Sequence, residues 1–91
     1  MSVTVLLPTA LQRYANDREE LTVEGANVGE ALTSVIAEAP QLGKHLFDAS
    51  GNIRSFVNVY LGDDDTRYLQ GNATLVKDGD TLTIVPSIAG G

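Results

Sequence analysis

Near the end of the chain stands the stretch Thr81-Leu82-Thr83-Ile84-Val85, in which apolar and polar side chains alternate. This alternation predicts a β-strand that buries Leu82 and Ile84 on one face and turns Val85 to the other. Pro86 follows and stiffens the exit from the strand, after which the chain reads Ser87-Ile88-Ala89-Gly90-Gly91. We therefore predict a folded domain over residues 1–86 and a flexible tail over 87–91.

The tail ends in two glycines, which have no Cβ and so allow the backbone to approach a ligand closely. Its five residues, at roughly 3.3–3.6 Å each, reach about 17 Å when extended. The carboxylate of Gly91 is thus unhindered and able to enter a narrow channel in a partner. A frayed terminus would have the same composition, so the ending alone leaves both interpretations open.

The first half of the chain predicts a hairpin and a helix. Strands are expected from Ser2 to Leu7, with the odd positions inward, and from Glu20 to Glu24, with Leu21 and Val23 inward. The segment from Ala10 to Arg18 between them is typical of a turn or a long hairpin loop. Helix formation is expected from Asn27, a good N-cap with Glu30 three positions later, up to Pro40. The predicted apolar stripe consists of Val28, Ala31, Leu32, Val35, Ile36 and Ala39.

The second half predicts a helical turn and the remaining strands. Residues 41–47 can form a helical turn that closes over the core, and the strongest strand is expected from Phe56 to Leu61. A turn at Gly62–Asp65 and a short strand around Arg67–Leu69 follow. With the final strand central, the expected fold is an α+β β-grasp, as in ubiquitin: a mixed sheet of four to five strands with one main helix on one face.

Composition narrows the function classes. The 91 residues suit one domain, no apolar run could span a membrane, and the absence of cysteine suits a reducing cytoplasm. The net charge of −6 disfavours nucleic-acid and anionic-membrane binding. It favours a partner with a positive docking surface, although solubility alone would also account for it.

No stretch of the sequence predicts a catalytic or metal site. His45 is the single histidine and has no cluster of ligands beside it, and Asp63-Asp64-Asp65 lacks the spacing of a calcium loop. The glycines from Gly25 to Gly29 lack the pattern and the lysine of a phosphate-binding loop. We therefore expect no metal, no bound cofactor and no enzymatic activity of the chain's own.

One surface is predicted to dock a partner. The outward face of the strand from Phe56 to Leu61 carries Phe56, Asn58 and Tyr60, and Val85 projects from the neighbouring strand on the same side. An apolar patch with a tyrosine hydroxyl near the start of the tail suits protein binding. The alternative is that the preceding loop covers Phe56 and Tyr60.

The ending resembles that of the ubiquitin-like sulfur carriers, which include the thiamine-biosynthesis carrier, the small subunit of molybdopterin synthase and the carrier of cysteine biosynthesis. The resemblance covers essentially the whole chain and is carried by Asp78-Gly79-Asp80-Thr81-Leu82-Thr83-Ile84 and by Pro86 to Gly91. The opening Val3-Thr4-Val5-Leu6-Leu7-Pro8-Thr9 and the stretch from Arg54 to Arg67, with Phe56-Val57-Asn58-Val59-Tyr60, look most like the cysteine-biosynthesis branch.

The resemblance implies that the Gly91 carboxylate is adenylated with ATP by an E1-like activating enzyme and converted to a thiocarboxylate. Ser87, Ile88, Ala89 and Gly90 would occupy the channel of the partner. A sulfurtransferase or another donor would supply the sulfur. In the cysteine branch, the acceptor would be an aminoacrylate on a PLP-dependent synthase, and a metalloprotease would release the product.

Other functions stay open at this point. The linker Ser87-Ile88-Ala89 also suits molybdopterin-type members, and thiamine or tRNA-thiolation carriers use the same chemistry. A ubiquitin-like modifier would form isopeptide bonds with lysines of other proteins. A binding module of ubiquitin fold would use only the patch of Phe56, Tyr60 and Val85.

Overall fold

The last strand of the sequence is the central strand of the sheet. In this computed structural model, which describes residues 1–54 and 57–86, the sheet order is β2-β1-β5-β3-β4. The strands are β1 (Ser2–Leu6), β2 (Glu20–Glu24), β3 (Val57–Leu61), β4 (Asp64–Asp65) and β5 (Thr81–Pro86). Strand β5 pairs in parallel with β1 and antiparallel with β3. The predicted mixed sheet with its final strand in the middle is confirmed.

Alternation along the strands determines which side chains enter the core. Val3 and Val5 of β1, Leu82 and Ile84 of β5 and their neighbours on β2 and β3 face the helices and are almost fully buried. Each large apolar side chain removed from water in this way contributes about 1.5–3 kcal/mol to folding. The opposite face of the sheet, which carries the polar alternation, stays in contact with solvent.

The main helix begins and ends where the sequence predicts. Helix α2 (Val28–Glu38) is capped by Asn27, whose Oδ1 accepts a hydrogen bond from the Glu30 N–H at 2.8 Å. The carboxylate of Glu30 reaches back to the Ala26 N–H at 2.9 Å, one residue before the N-cap. The chain leaves the helix at Ala39, ahead of Pro40. The buried stripe comprises Val28, Ala31, Leu32, Val35 and Ala39, with Ile36 half-buried.

The predicted turn after α2 is also confirmed. A 3₁₀ turn (Pro40–Leu42) leads into the short helix α3 (Gly43–Leu46). Leu42 and Leu46 are buried, and Phe47 packs half-buried against the same core. The turn therefore closes one end of the space between α2 and the sheet.

The prediction of a loop from Ala10 to Arg18 is wrong. This segment contains helix α1 (Thr9–Gln12) and a 3₁₀ turn (Arg13–Ala15), which bury Leu11 and Ala15 in the core. Asn16 and Asp17 then reverse the chain with φ of +57° and +61°, a backbone region that Asn and Asp tolerate better than most residues. A four-residue helix and a three-residue turn contain too few apolar residues for a helical repeat of apolar positions to be visible in the sequence.

The short strand predicted around Arg67–Leu69 is wrong as well. The pairing segment is β4, inside the predicted turn at Gly62–Asp65, where Asp64 lies opposite Leu61 and Asp65 opposite Tyr60. The Asp65 Oδ1 then accepts from the Arg67 N–H at 2.9 Å and begins a 3₁₀ turn (Thr66–Tyr68). The Thr66 hydroxyl fixes this turn by donating to the Val59 carbonyl at 2.9 Å.

The described helices are short. Within residues 1–54 and 57–86, none has the length and apolar character required to cross a membrane.

Candidate functional site

Strand β5 carries the chain to one end of the sheet, where it finishes at Pro86. Pro86 lies opposite Val57, the first residue of β3, and Val85 lies opposite Asn58. The predicted reactive residue Gly91 and the predicted channel residues Ser87, Ile88, Ala89 and Gly90 lie outside the described residues. The structure thus places the point from which the tail departs, which is paired with β3, while the pairing of β5 with β1 extends as far as Thr83.

The predicted docking residues that the structure describes lie on one face. Asn58 and Val85 are direct cross-strand partners, and Tyr60 lies one position further along that face, opposite Thr83. Leu6 of β1 is the register partner of Thr83 on its other side. Val85 is 39% exposed, while Asn58 and Tyr60 are half-buried. Phe56, the fourth predicted docking residue, lies outside the described residues.

The outer face is suited to binding a protein. Its centre holds Leu6, Thr83 and Tyr60 in one row, so an apolar side chain and an aromatic ring flank a small polar one. Aromatic side chains of this kind give large contact areas at protein interfaces. In the part of the chain that the structure describes, no group of three or more Asp, Glu or His side chains could hold a metal ion.

The groove beside the start of α2 is acidic. It is lined by Glu24, Gly25, Asn27 and Glu30, among others. The Ser2 hydroxyl, which donates to Glu24 at 2.6 Å, and then the Met1 amino group lower the pKa of this carboxyl. An ionised Glu24 and the nearby Glu30 repel phosphate.

His45 takes part in a contact that the sequence did not indicate. Its ring stacks on that of Tyr14, with the centroids 4.1 Å apart. Its Nε2 atom is buried and has no hydrogen-bond partner among the described residues. Burial, followed by the positive charges of Lys44, Arg13 and Arg54, lowers the pKa of His45 below its usual value. The ring is therefore neutral near pH 7.

The sequence of this chain also matches a known protein family. The model of the ThiS family matches residues 5–91, nearly the whole chain. The chain belongs to the ThiS family. The sulfur carrier protein CysO of Mycobacterium tuberculosis strain H37Rv is 36% identical over 93 residues, an alignment that covers both chains completely. The predicted class, a sulfur carrier of ubiquitin-like fold, is confirmed by these matches.

Solved structures agree with this family assignment. The crystal structure of the BexX/CysO complex of Amycolatopsis orientalis contains a chain that superposes with a TM-score of 0.89 and 37% identity, covering 98% of this chain and 99% of that one. Small archaeal modifier protein 1 of Methanosarcina acetivorans superposes with a TM-score of 0.90 and 28% identity, covering 99% and 96% of the two chains. The relatives of this ThiS-family chain are thus carriers and modifiers, in agreement with the prediction of a protein on which partner enzymes act.

Proposed function

We propose that this ThiS-family chain carries sulfur as a thiocarboxylate on Gly91 and delivers it to cysteine biosynthesis. The observation that supports this most strongly is the alignment of the whole chain with the sulfur carrier CysO. The fold is consistent with it, because the diglycine tail follows directly on the central strand β5, which ends at Pro86.

The proposed chemistry requires activation of Gly91 by a partner. An α-carboxylate has a pKa of about 3.3–3.7 and is ionised at neutral pH, which makes it a poor electrophile. Transfer of AMP from ATP to the carboxylate releases pyrophosphate and gives an acyl adenylate. Attack by hydrosulfide on the acyl carbon then displaces AMP and leaves a thiocarboxylate on the tail. With a protein persulfide as donor, the attack gives an acyl disulfide, and a thiol then cleaves its S–S bond, which releases the thiocarboxylate and leaves a disulfide on the donor. ATP belongs to the activating enzyme, and the carrier itself binds no cofactor.

The partners follow from this chemistry. An E1-like adenylating enzyme forms the adenylate, and a sulfurtransferase or another donor supplies the sulfur. A PLP-dependent cysteine synthase presents an aminoacrylate to the thiocarboxylate, and a metalloprotease releases the cysteine. Asn58, Tyr60 and Val85 on the outer face, with Phe56, would dock these enzymes while Ser87 to Gly90 occupy the channel.

Intact mass tests this proposal. After incubation with ATP, a cognate adenylating enzyme and a sulfur source, the mass of the chain should rise by the exchange of one oxygen for sulfur. Deletion of Gly91 should abolish the rise, whereas Lys77→Ala, which keeps the tail at full length and lies before the start of β5, should load like the wild type. A wild-type mass that stays constant with the adenylating enzymes and sulfur sources of the host would refute the proposal.

A protein modifier is the second candidate, and the resemblance to small archaeal modifier protein 1 favours it. It predicts covalent adducts of higher mass in cells that disappear when Gly91 is deleted. A binding module without tail chemistry would instead keep its partners and its cellular function after the loss of Gly90 and Gly91.

A further inference from the structure

Three basic side chains that are far apart in the sequence lie around His45. Arg54 donates from Nε to the Lys44 carbonyl at 2.8 Å, which ties the segment before β3 to α3. The next residue of α3, His45, stacks on Tyr14. Arg13 places its guanidinium 5.2 Å from the centroid of the Tyr14 ring and donates from Nη2 to the Tyr14 hydroxyl at 3.3 Å. We call Arg13, Lys44 and Arg54 the basic cluster.

The charge of the basic cluster is not neutralised within the described part of the chain. The ion pairs there join Met1 to Glu24 and Arg18 to Glu38, and neither includes a member of the cluster. The charged groups that act on the pKa of His45 are Lys44, Arg13 and Arg54, all cations. A chain with a net charge of −6 and six basic side chains therefore concentrates three of them at one place.

The basic cluster lies at the end of the sheet from which the tail departs. The Val57 N–H donates to the Arg54 carbonyl at 2.9 Å, and Val57 is the register partner of Pro86. One cross-strand step and one turn place Arg54 within roughly 12 Å of Pro86. Arg13 reaches the same end because it follows β1, which runs parallel to β5.

The shape of the cluster suits carboxylates. Arg54 uses Nε for the Lys44 carbonyl, which leaves both terminal nitrogens directed away from that bond and able to hold a carboxylate in bidentate geometry. A tail of about 17 Å enters a channel while the folded body stays outside. The side chains around Pro86 therefore meet the rim of that channel.

We propose that the basic cluster docks on carboxylate side chains at the rim of the channel that receives the tail. This inference rests on the proposed sulfur-carrier function and adds to it the charge of the partner surface. The net charge of −6 by itself favours a partner with a positive docking surface, and the basic cluster reverses this preference locally. Because the rest of the chain is repelled by an acidic rim, the local complementarity fixes the orientation in which the basic cluster faces the rim.

The two lysines of the chain provide a matched test. Lys44→Glu reverses a charge in the basic cluster, and Lys77→Glu reverses one in the turn before Thr81, at the opposite end of β5. Both substitutions change the net charge equally. For thiocarboxylate formation by the cognate adenylating enzyme, Lys44→Glu should lower kcat/KM roughly three- to tenfold through KM, with kcat preserved. Lys77→Glu should change it less than about twofold.

Ionic strength supplies the second readout. The difference between Lys44→Glu and wild type should shrink as salt rises from about 0.05 M to 0.5 M, because exposed charges are then screened. Equal effects of the two lysine variants, or a defect of Lys44→Glu that is insensitive to salt, would overturn the proposal. Deletion of Gly91 should abolish thiocarboxylate formation in the wild type and in both lysine variants, whatever the salt concentration. A loss of the sulfur chemistry is thereby distinguished from a loss of docking, which depends on Lys44 and on salt.

A binding measurement without sulfur chemistry completes the test. Titration of the full chain with poly-L-glutamate, followed by NMR, should shift amide signals around residues 13–14, 44–46 and 54. Lys44→Glu should weaken these shifts, while Lys77→Glu should leave them in place. The absence of shifts at these residues, or equal shifts around Lys77, would overturn the assignment even if no adenylating enzyme loads the wild type.

Discussion

His45 is held in its neutral form by its surroundings. It stacks on Tyr14, its Nε2 is buried without a hydrogen-bond partner among the described residues, and burial followed by three nearby cations lowers its pKa. A proton on this ring would be poorly solvated and repelled, so the folded state binds that proton less readily than the unfolded chain does.

The pH dependence of stability follows from this difference. The stability contributed by neutral His45 is fully present above its ordinary pKa of about 6.5 and is lost as the pH falls below it toward the lower folded value. Urea unfolding midpoints at about pH 7.5 and pH 5.5 should therefore differ more for wild type than for His45→Gln. Tyr14→Phe, which keeps the stacked ring, should retain the wild-type difference. If His45→Gln lost as much stability as the wild type between these two pH values, the pH dependence would come from a group other than His45.

At the scale of elements, the N-cap of α2 is a separable contribution to stability. The Asn27 Oδ1 satisfies the Glu30 N–H at 2.8 Å, one of the donors that a helix start leaves unpaired. Asn27→Ala should lower the free energy of unfolding by about 1 kcal/mol, whereas Asn27→Asp, which restores the acceptor, should stay close to wild type. Urea denaturation measures both variants. Equal losses would show that Asn27 stabilises the protein by something other than its side-chain oxygen.

The elements that the sequence predicts are those with a visible period. Alternation over at least five residues identified β1, β2, β3 and β5, and the three- and four-residue spacing from Val28 to Ala39 identified α2. Helix α1 and β4 were missed because they are four and two residues long. Their conformations depend on tertiary contacts, such as the burial of Leu11 and the bond from Thr66 to Val59, which no local pattern encodes.

At the scale of the whole molecule, the proposed docking surface is the outer face of the sheet around Tyr60. Tyr60→Ala should weaken binding to the adenylating enzyme about tenfold or more if this ring is an interface hot spot. Tyr68→Ala provides a matched control, since Tyr68 is 88% exposed and lies in the 3₁₀ turn beyond β4. Circular dichroism should show both variants folded. Equal binding by wild type and Tyr60→Ala would exclude the outer face around Tyr60 from this interface.

The candidate site divides into a part that sequence can reveal and a part that requires the fold. Gly90 and Gly91 end the tail that follows a predicted strand, so their proposed role could be inferred from the chain alone. Arg13, Lys44 and Arg54 come from three separate segments and are brought together by the contact of His45 with Tyr14 and by the bond from Arg54 to the Lys44 carbonyl. Their proximity could not be inferred from spacing.

The central position of β5 has a mechanical consequence. A partner that pulls on the tail applies its force along a strand bonded on one edge to β1 and on the other to β3. That load is shared by hydrogen bonds on both edges of β5, whereas a strand at the edge of the sheet would resist it with the bonds of one edge only. A pull on the tail therefore meets more resistance to unfolding from β5 than it would from an edge strand.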